Sequence, residues 1–190
     1  LKASNFELDA GGGILLDQGI HMVDLMRLFA GEFTEVFSFI SNNYWNHDVE
    51  DNAYAIMRTD DGIVAMLHSS ATQWQHRFNL EITLEKGAIV LAGLLTGTRS
   101  YGAETITIIH QSEQDSGSPM EIAKRYTSDP SWEREIEEFS EAIINNEKII
   151  NGSAEEALHT MELVYKIYCA DEKWKKVYKL SDEVPNLSEV

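Results

Sequence analysis

An α+β fold, with an open and largely antiparallel sheet and helices packed on one of its faces, is predicted by three features of this 190-residue sequence. A helical stretch comes early, a run of strands fills the middle, and two amphipathic helices follow. The turns between the strands are too short for parallel crossovers, so neighbouring strands should run antiparallel. The length suits one domain.

The first helix is expected from about Gly13 to Ala30, with Gly31 ending it in the positive-φ position common after helices. From Phe33 to His110 the pattern is that of five or six strands. "FNLEITLE" alternates, with Phe78, Leu80, Ile82 and Leu84 on one side and Asn79, Glu81, Thr83 and Glu85 on the other. "NAYAIMR" and "IVAMLHSS" flank "TDDG", whose glycine suits a hairpin turn. "LEKGAIVLAG" and "ETITIIH" continue the sheet, and "HQSEQDSGSP" reads as a polar loop. Beyond it, Asp129 is an expected N-cap with Pro130 at the first helical position. Ile136, Phe139 and Ile143 form that helix's apolar stripe. Ser153 to Glu156 has the form of a capping box, and the helix it opens is expected to bury Leu158, Met161, Val164, Tyr165 and Tyr168. "KKVYKL" is expected as a short strand. The other sheet face would be bare. With Phe37, Phe39, Tyr54 and Trp74 assigned to strands, part of it should be buried by a partner.

The composition bounds the function. With 43% apolar residues the chain can bury a core, and a net charge of −17 repels nucleic acids and anionic membranes. No apolar run approaches the roughly 18 residues of a membrane span. The single cysteine, Cys169, has no internal disulfide partner, which fits a reducing, cytoplasmic setting. Its apolar helical surroundings mark it as a buried small residue rather than a nucleophile. His47, His68, His110 and His159 are scattered and read as structural or exposed.

The informative segment is "GGGILLDQGIHMVD", residues 11–24. At 100° per residue, His21 lies about 40° and Asp24 about −20° from Asp17, within roughly 60° of arc. Apolar residues surround this stripe on all sides, as in a buried helix. Charged groups there are costly unless they pair or face a wet cavity. The i,i+3 and i,i+4 spacings allow them to bond one another. A carboxylate beside an imidazole would prepare a general acid or base. A satisfied polar stripe under a loop and a metal site are the alternatives. The metal reading is the weakest, because no second histidine lies four residues from His21. Gly11, Gly12 and Gly13 leave the backbone bare for a neighbouring segment or a ligand, and Gly19 permits close packing against another element.

The residues Gly11, Gly12, Gly13, Asp17, Gly19, His21 and Asp24 resemble the start of the C-terminal domain of the Gfo/Idh/MocA (glucose–fructose oxidoreductase/inositol dehydrogenase) family. That pattern is a glycine pair or triplet followed by D-x-G-x-H-x-x-D on a helix. "VEDNAYAIMRTDDGIVAMLHSS" resembles the family's paired strands and "SWEREIEEFSEAIINNEKIINGSAEEALHTMELVYKIY" its closing helices. "ATQWQHRFNLEI" resembles a subgroup linked to sugar or sugar-nucleotide metabolism. The resemblance covers nearly the whole chain. It leaves out the family's N-terminal Rossmann domain with its Glu-Lys-Pro lysine, and no G-x-G-x-x-G follows a strand near the start.

The resemblance implies the substrate-binding and oligomerisation half of an NAD- or NADP-dependent dehydrogenase acting on a sugar, sugar nucleotide or polyol. It implies His21 as the base, alone or shared with a lysine outside this sequence. Asp17 would hold the substrate hydroxyl or that lysine, and Asp24 would orient His21 or bind substrate. Gln18, Trp74, Gln75, His76 and Arg77 are the further expected substrate contacts, and Gly12 and Gly13 would approach the cofactor. A homodimer or homotetramer through the open sheet face is expected. A non-catalytic binding or assembly domain of the same fold, and a metal-dependent lyase or hydrolase, are the competing readings.

Overall fold

The computed structural model describes residues 12–111 and 119–181, so Gly11 and most of the polar 110–119 loop lie outside the described residues. In chain order the elements are a π-helical turn Leu15–Gly19, α1 Ile20–Ala30, β1 Phe33–Ser41, β2 Asn52–Thr59, β3 Val64–Ser70, β4 Asn79–Leu84, β5 Gly87–Ala92, β6 Thr105–His110, β7 Met120–Arg125, α2 Ser131–Asn145, α3 Ala154–Ala170 and α4 Glu172–Tyr178. The fold is α+β and every strand pair is antiparallel. The strands divide into two sheets, β1-β2-β3 and β4-β5-β6-β7, where one was expected. The division has a local cause. Between Ser70 and Asn79 lies "ATQWQHRF", too long for a tight hairpin, so β4 begins a sheet of its own. The chain forms two compact units, residues 1–72 with 150–190, and residues 73–149.

In the first unit α3 packs on β1 and on α1. β2 shows why the sheet has an inside. Ala53, Ala55 and Met57 are buried, while Tyr54, Ile56 and Arg58 between them are exposed. Leu15, Val23, Phe33, Leu67, Leu163, Val164 and Ile167 complete the core. Ser38 Oγ donates to the Ile167 carbonyl at 2.6 Å, tying β1 to α3. The outer face carries register-matched rows: Phe37, Ile56 and Met66 in one, Phe39, Tyr54 and His68 in the next. Phe37, Phe39 and Met66 are 70%, 78% and 75% exposed, and the rings of Tyr54 and His68 stack at 4.3 Å. The bare aromatic face expected of the sheet is therefore present. Trp74 is not on it, because that residue lies in the segment between β3 and β4.

Gly62 takes φ +88° in the β2–β3 turn and Gly31 takes φ +82° after α1, as expected of both. Three other expectations are corrected. "KKVYKL" contributes to helix α4 instead of a strand. Asp171 accepts the N–H groups of Lys173 and Trp174, each at 2.9 Å, and the Trp174 and Tyr178 rings stack one turn apart. α3 buries Thr160, Leu163, Val164 and Ile167, whereas Leu158 and Met161 are exposed. The helix is rotated so that Thr160 meets the buried Arg27. In the second unit the apolar stripe of α2 is present but exposed, and no residue of that helix is buried. β7 was not expected at all, since "MEIAKR" has charges on both faces of an exposed edge strand.

Candidate active site

The segment entering the π-helical turn is held by Glu50. A Cβ on Gly13 would stand 2.2 Å from the Glu50 carbonyl oxygen, so only glycine fits. The Ile14 N–H donates to that carbonyl at 3.1 Å, and the Leu15 N–H donates to Glu50 Oε1 at 2.8 Å. Tyr168 Oη of α3 donates to the same carboxylate oxygen at 2.7 Å. A helix start carries unpaired N–H groups and partial positive charge, and a carboxylate serves both. Glu50 is only 1% exposed, and burial raises its pKa above the ordinary carboxylate value despite these donors. Burial and the neighbouring Glu50 charge raise the Tyr168 phenol as well. The space above Gly13 is thus filled by Glu50, and that above Gly12 by Leu16. Gly19 brings the helix against β3, where a Cβ would lie 2.9 Å from Ser69 Oγ.

Asp17, Gln18, His21 and Asp24 then follow along one helix. The first two sit in the π-helical turn, a distortion frequent at functional sites. The helix is not buried all round. Its inner face is Leu15, Gly19, Val23, Met26 and Arg27; Asp17 is half-buried, and Gln18, His21 and Asp24 are exposed. Gln18 Nε2 donates to Asp17 Oδ2 at 3.1 Å. Asp24 Oδ1 accepts from Thr160 Oγ1 at 2.7 Å and lies 4.0 Å from Arg27 Nη1. His21 has no hydrogen bond or ion pair among the described residues, so the mutual bonding that the spacing allows is not formed.

Arg27 is the charge the helix buries. It donates to Thr160 Oγ1 at 2.8 Å, to the Glu156 carbonyl at 3.0 Å and to Glu156 Oε2 at 3.0 Å. It also makes a forked contact with Glu32 through Nε and Nη2. The contact with Glu32 raises the arginine pKa and holds the Glu32 carboxyl below the ordinary value. Ser153 caps α3 by accepting the Glu156 N–H at 3.2 Å, but the Glu156 side chain serves Arg27.

Trp74, Gln75, His76 and Arg77 belong to the second unit. All four are exposed, and Trp74 is 103% exposed. His76 Nδ1 pairs with Ser100 Oγ at 2.9 Å, and its ring lies 5.1 Å from that of Tyr101. Among the described residues no group of three or more His, Cys, Asp or Glu side chains is placed to hold a metal ion. No described helix is long and apolar enough to cross a membrane.

Glu50, Tyr168, Arg27 and Thr160 were missed from the sequence. "VED" ahead of a strand looks like a solvated loop, and Arg27 looks like one more surface cation. The faint signal for Arg27 was an arginine three residues after Asp24 and five before Glu32.

A family profile for the GFO/IDH/MocA C-terminal domain matches residues 2–90. No curated protein matches the sequence. UDP-N-acetylglucosamine 3-dehydrogenase from Acidithiobacillus ferrooxidans has a similar structure, with a TM-score of 0.70 at 20% identity, over 91% of this chain and 50% of that one. An aldose-aldose oxidoreductase from Caulobacter crescentus, complexed with glycerol, gives 0.70 at 20% identity over 90% and 49%. The WlbA dehydrogenase from Bordetella pertussis, in complex with NADH and UDP-GlcNAcA, gives 0.61 at 15% identity over 85% and 43%. The chain spans about half the length of these solved structures, or less. Residues 2–90 thus match the profile of a GFO/IDH/MocA C-terminal domain, and the chain as a whole shares the fold of these solved structures.

Proposed function

We propose that this chain is the substrate-binding and oligomerisation half of an oxidoreductase. The reaction is hydride transfer between NAD or NADP and a hydroxyl-bearing carbon of a sugar, sugar nucleotide or polyol. One observation carries the reading: His21 stands exposed, with no described partner, on a helix anchored at one end by Glu50 and at the other by Arg27. Solved structures of sugar and sugar-nucleotide oxidoreductases with the same fold support it. So does a neighbour that holds NADH.

As the hydride leaves carbon, the hydroxyl proton must go to a base. His21 takes it through a neutral ring nitrogen. Asp17 accepts a hydrogen bond from the substrate hydroxyl and orients it, with Gln18 fixing one carboxylate oxygen. Asp24, tied to Thr160, keeps its free oxygen for a substrate hydroxyl. The nicotinamide finds no cradle in Gly13, whose open side is filled by Glu50, so its binding rests mainly on a domain outside this sequence. Gly12 and Gly13 offer it backbone at most.

The aromatic rows of the three-stranded sheet form the surface through which a second copy pairs, giving a homodimer or homotetramer. A single cysteine and an acidic surface suit the cytoplasm. A non-catalytic assembly domain is the second reading, favoured by the engagement of Asp24 with Thr160.

Hydride transfer to NAD and NADP in the complete native protein, with a panel of aldoses, polyols and sugar nucleotides, tests the proposal. Asp17→Asn and His21→Ala should each collapse turnover. Turnover on no substrate by the wild-type protein would leave the assembly reading in its place.

A further inference from the structure

The second unit contains an open surface cleft of about 360 Å³ lined by Leu95, Arg99, Gly102, Ala103, Arg125, Tyr126 and Thr127. This is the size of a small-molecule pocket. Acidic residues outnumber basic ones by 32 to 15 in this chain, yet neither guanidinium has an ion pair or hydrogen bond among the described residues. Two arginines without a described partner on one cleft offer positive charge to an anionic ligand, beside the Glu104 carboxylate that accepts the Leu95 N–H at 2.8 Å.

Arg99 also occupies an unusual place. Its φ is +54°, in the left-handed region that favours glycine. The backbone needs this conformation, because Arg99 N–H reaches the Thr96 carbonyl at 3.0 Å and closes a turn. Glycine would serve that turn with less strain, so the guanidinium is what the position gains from arginine. The loop is held in place by a run of hydroxyls: Thr96 to Thr98 at 3.2 Å, Thr98 to Ser100 at 2.9 Å, and Ser100 to His76 at 2.9 Å. Arg125 ends β7 opposite Thr105, and Tyr126 continues the ladder by donating to the Glu104 carbonyl at 2.9 Å. Lys124 Nζ stands 4.7 Å from the Tyr126 ring centre and adds a third cation nearby.

We propose that this pocket binds the phosphate or carboxylate of an acidic sugar derivative, with Arg99 and Arg125 as its oxyanion clamp. The proposal rests on the oxidoreductase reading for its substrate class. A planar guanidinium fork matches either oxyanion, and a phenol ring beside it suits a sugar or base face.

Calorimetric titration of the complete native protein with UDP, glucuronate, inorganic phosphate and glucose tests it. UDP or glucuronate should bind and glucose should not. UDP binding without glucuronate binding points to a phosphate source, and the reverse to a carboxylate. Arg99→Gly and Arg125→Gln should each weaken binding by about tenfold or more. Arg99→Gly should leave the melting temperature unchanged or higher, since it relieves the backbone. Binding of neither anion, or equal binding by wild type and both variants, would overturn the proposal. Arginine-dependent binding in a protein that oxidises no sugar would sink the oxidoreductase reading and leave the pocket standing.

Discussion

The two sides of the helix that begins at Leu15 treat charge in opposite ways. On the inner side a full positive charge, Arg27, is buried and answered by Glu32, Glu156 and Thr160. At its start a buried carboxylate, Glu50, is answered by backbone N–H groups and a phenol. On the outer side His21 meets water with no described partner, and Asp24 is 60% exposed at its side chain. Buried charges must be paired, so Arg27 and Glu50 hold the helix in place. An exposed imidazole adds little to that, and the chemistry proposed above falls to His21.

Several substitutions break or sharpen this contrast. The largest stability effect is expected on the inner side. Arg27→Ala removes the buried side chain and its bonds to Thr160 and the Glu156 carbonyl, while the half-exposed Glu32 and Glu156 carboxylates return to water, so it should cost about 2–3 kcal/mol, read as a lower urea midpoint. Arg27→Lys should recover part of this at best, because an ammonium cannot make the forked contact with Glu32. Gly13→Ala comes next. Its methyl would meet the Glu50 carbonyl, and about 1–3 kcal/mol should be lost as the helix start moves away. Thermal unfolding should show the loss, and activity should fall with it.

A smaller effect is expected in the pH dependence. Glu50 has a folded pKa above its ordinary value of 4.5. The unfolded chain therefore releases the Glu50 proton first as pH rises, and the folded form loses relative stability from about 4.5 up to the raised value. Glu32 works the other way. Its folded pKa is lowered, so its contribution is present above 4.5 and is lost as pH falls through the folded value. Glu50→Gln should remove the first trend and leave the second. Denaturant midpoints across acid to neutral pH, for wild type and variant, would show whether the two separate. The smallest effect should be Ser153→Ala, at about 1 kcal/mol for a lost cap.

Much of the fold could be read from local pattern. The "TDDG" hairpin, the Ser153 cap and the glycine after α1 follow from residues within a few positions of each other, and all three stand as expected. What depends on distant residues was not legible. The outward turn of His21 and Asp24 follows from Arg27 claiming the inner face, and that choice depends on Glu156 and Thr160, more than a hundred residues on. Glu50 shows the same limit, since its donors at Gly13, Leu15 and Tyr168 come from both ends of the chain. The separation into two sheets depends on an interruption between Ser70 and Asn79, and alternation within strands carries no sign of it. The stripe of Asp17, His21 and Asp24 was legible as a stripe, but its exposure was not.

The role proposed for His21 is tested most directly by turnover of His21→Ala in the complete native protein, at a matched folded fraction. A loss of about a hundredfold to ten-thousandfold is expected, with stability unchanged within about 0.5 kcal/mol. Turnover within about twofold of wild type would contradict it, because general acid–base catalysis by His21 could not then be what the exposed face provides.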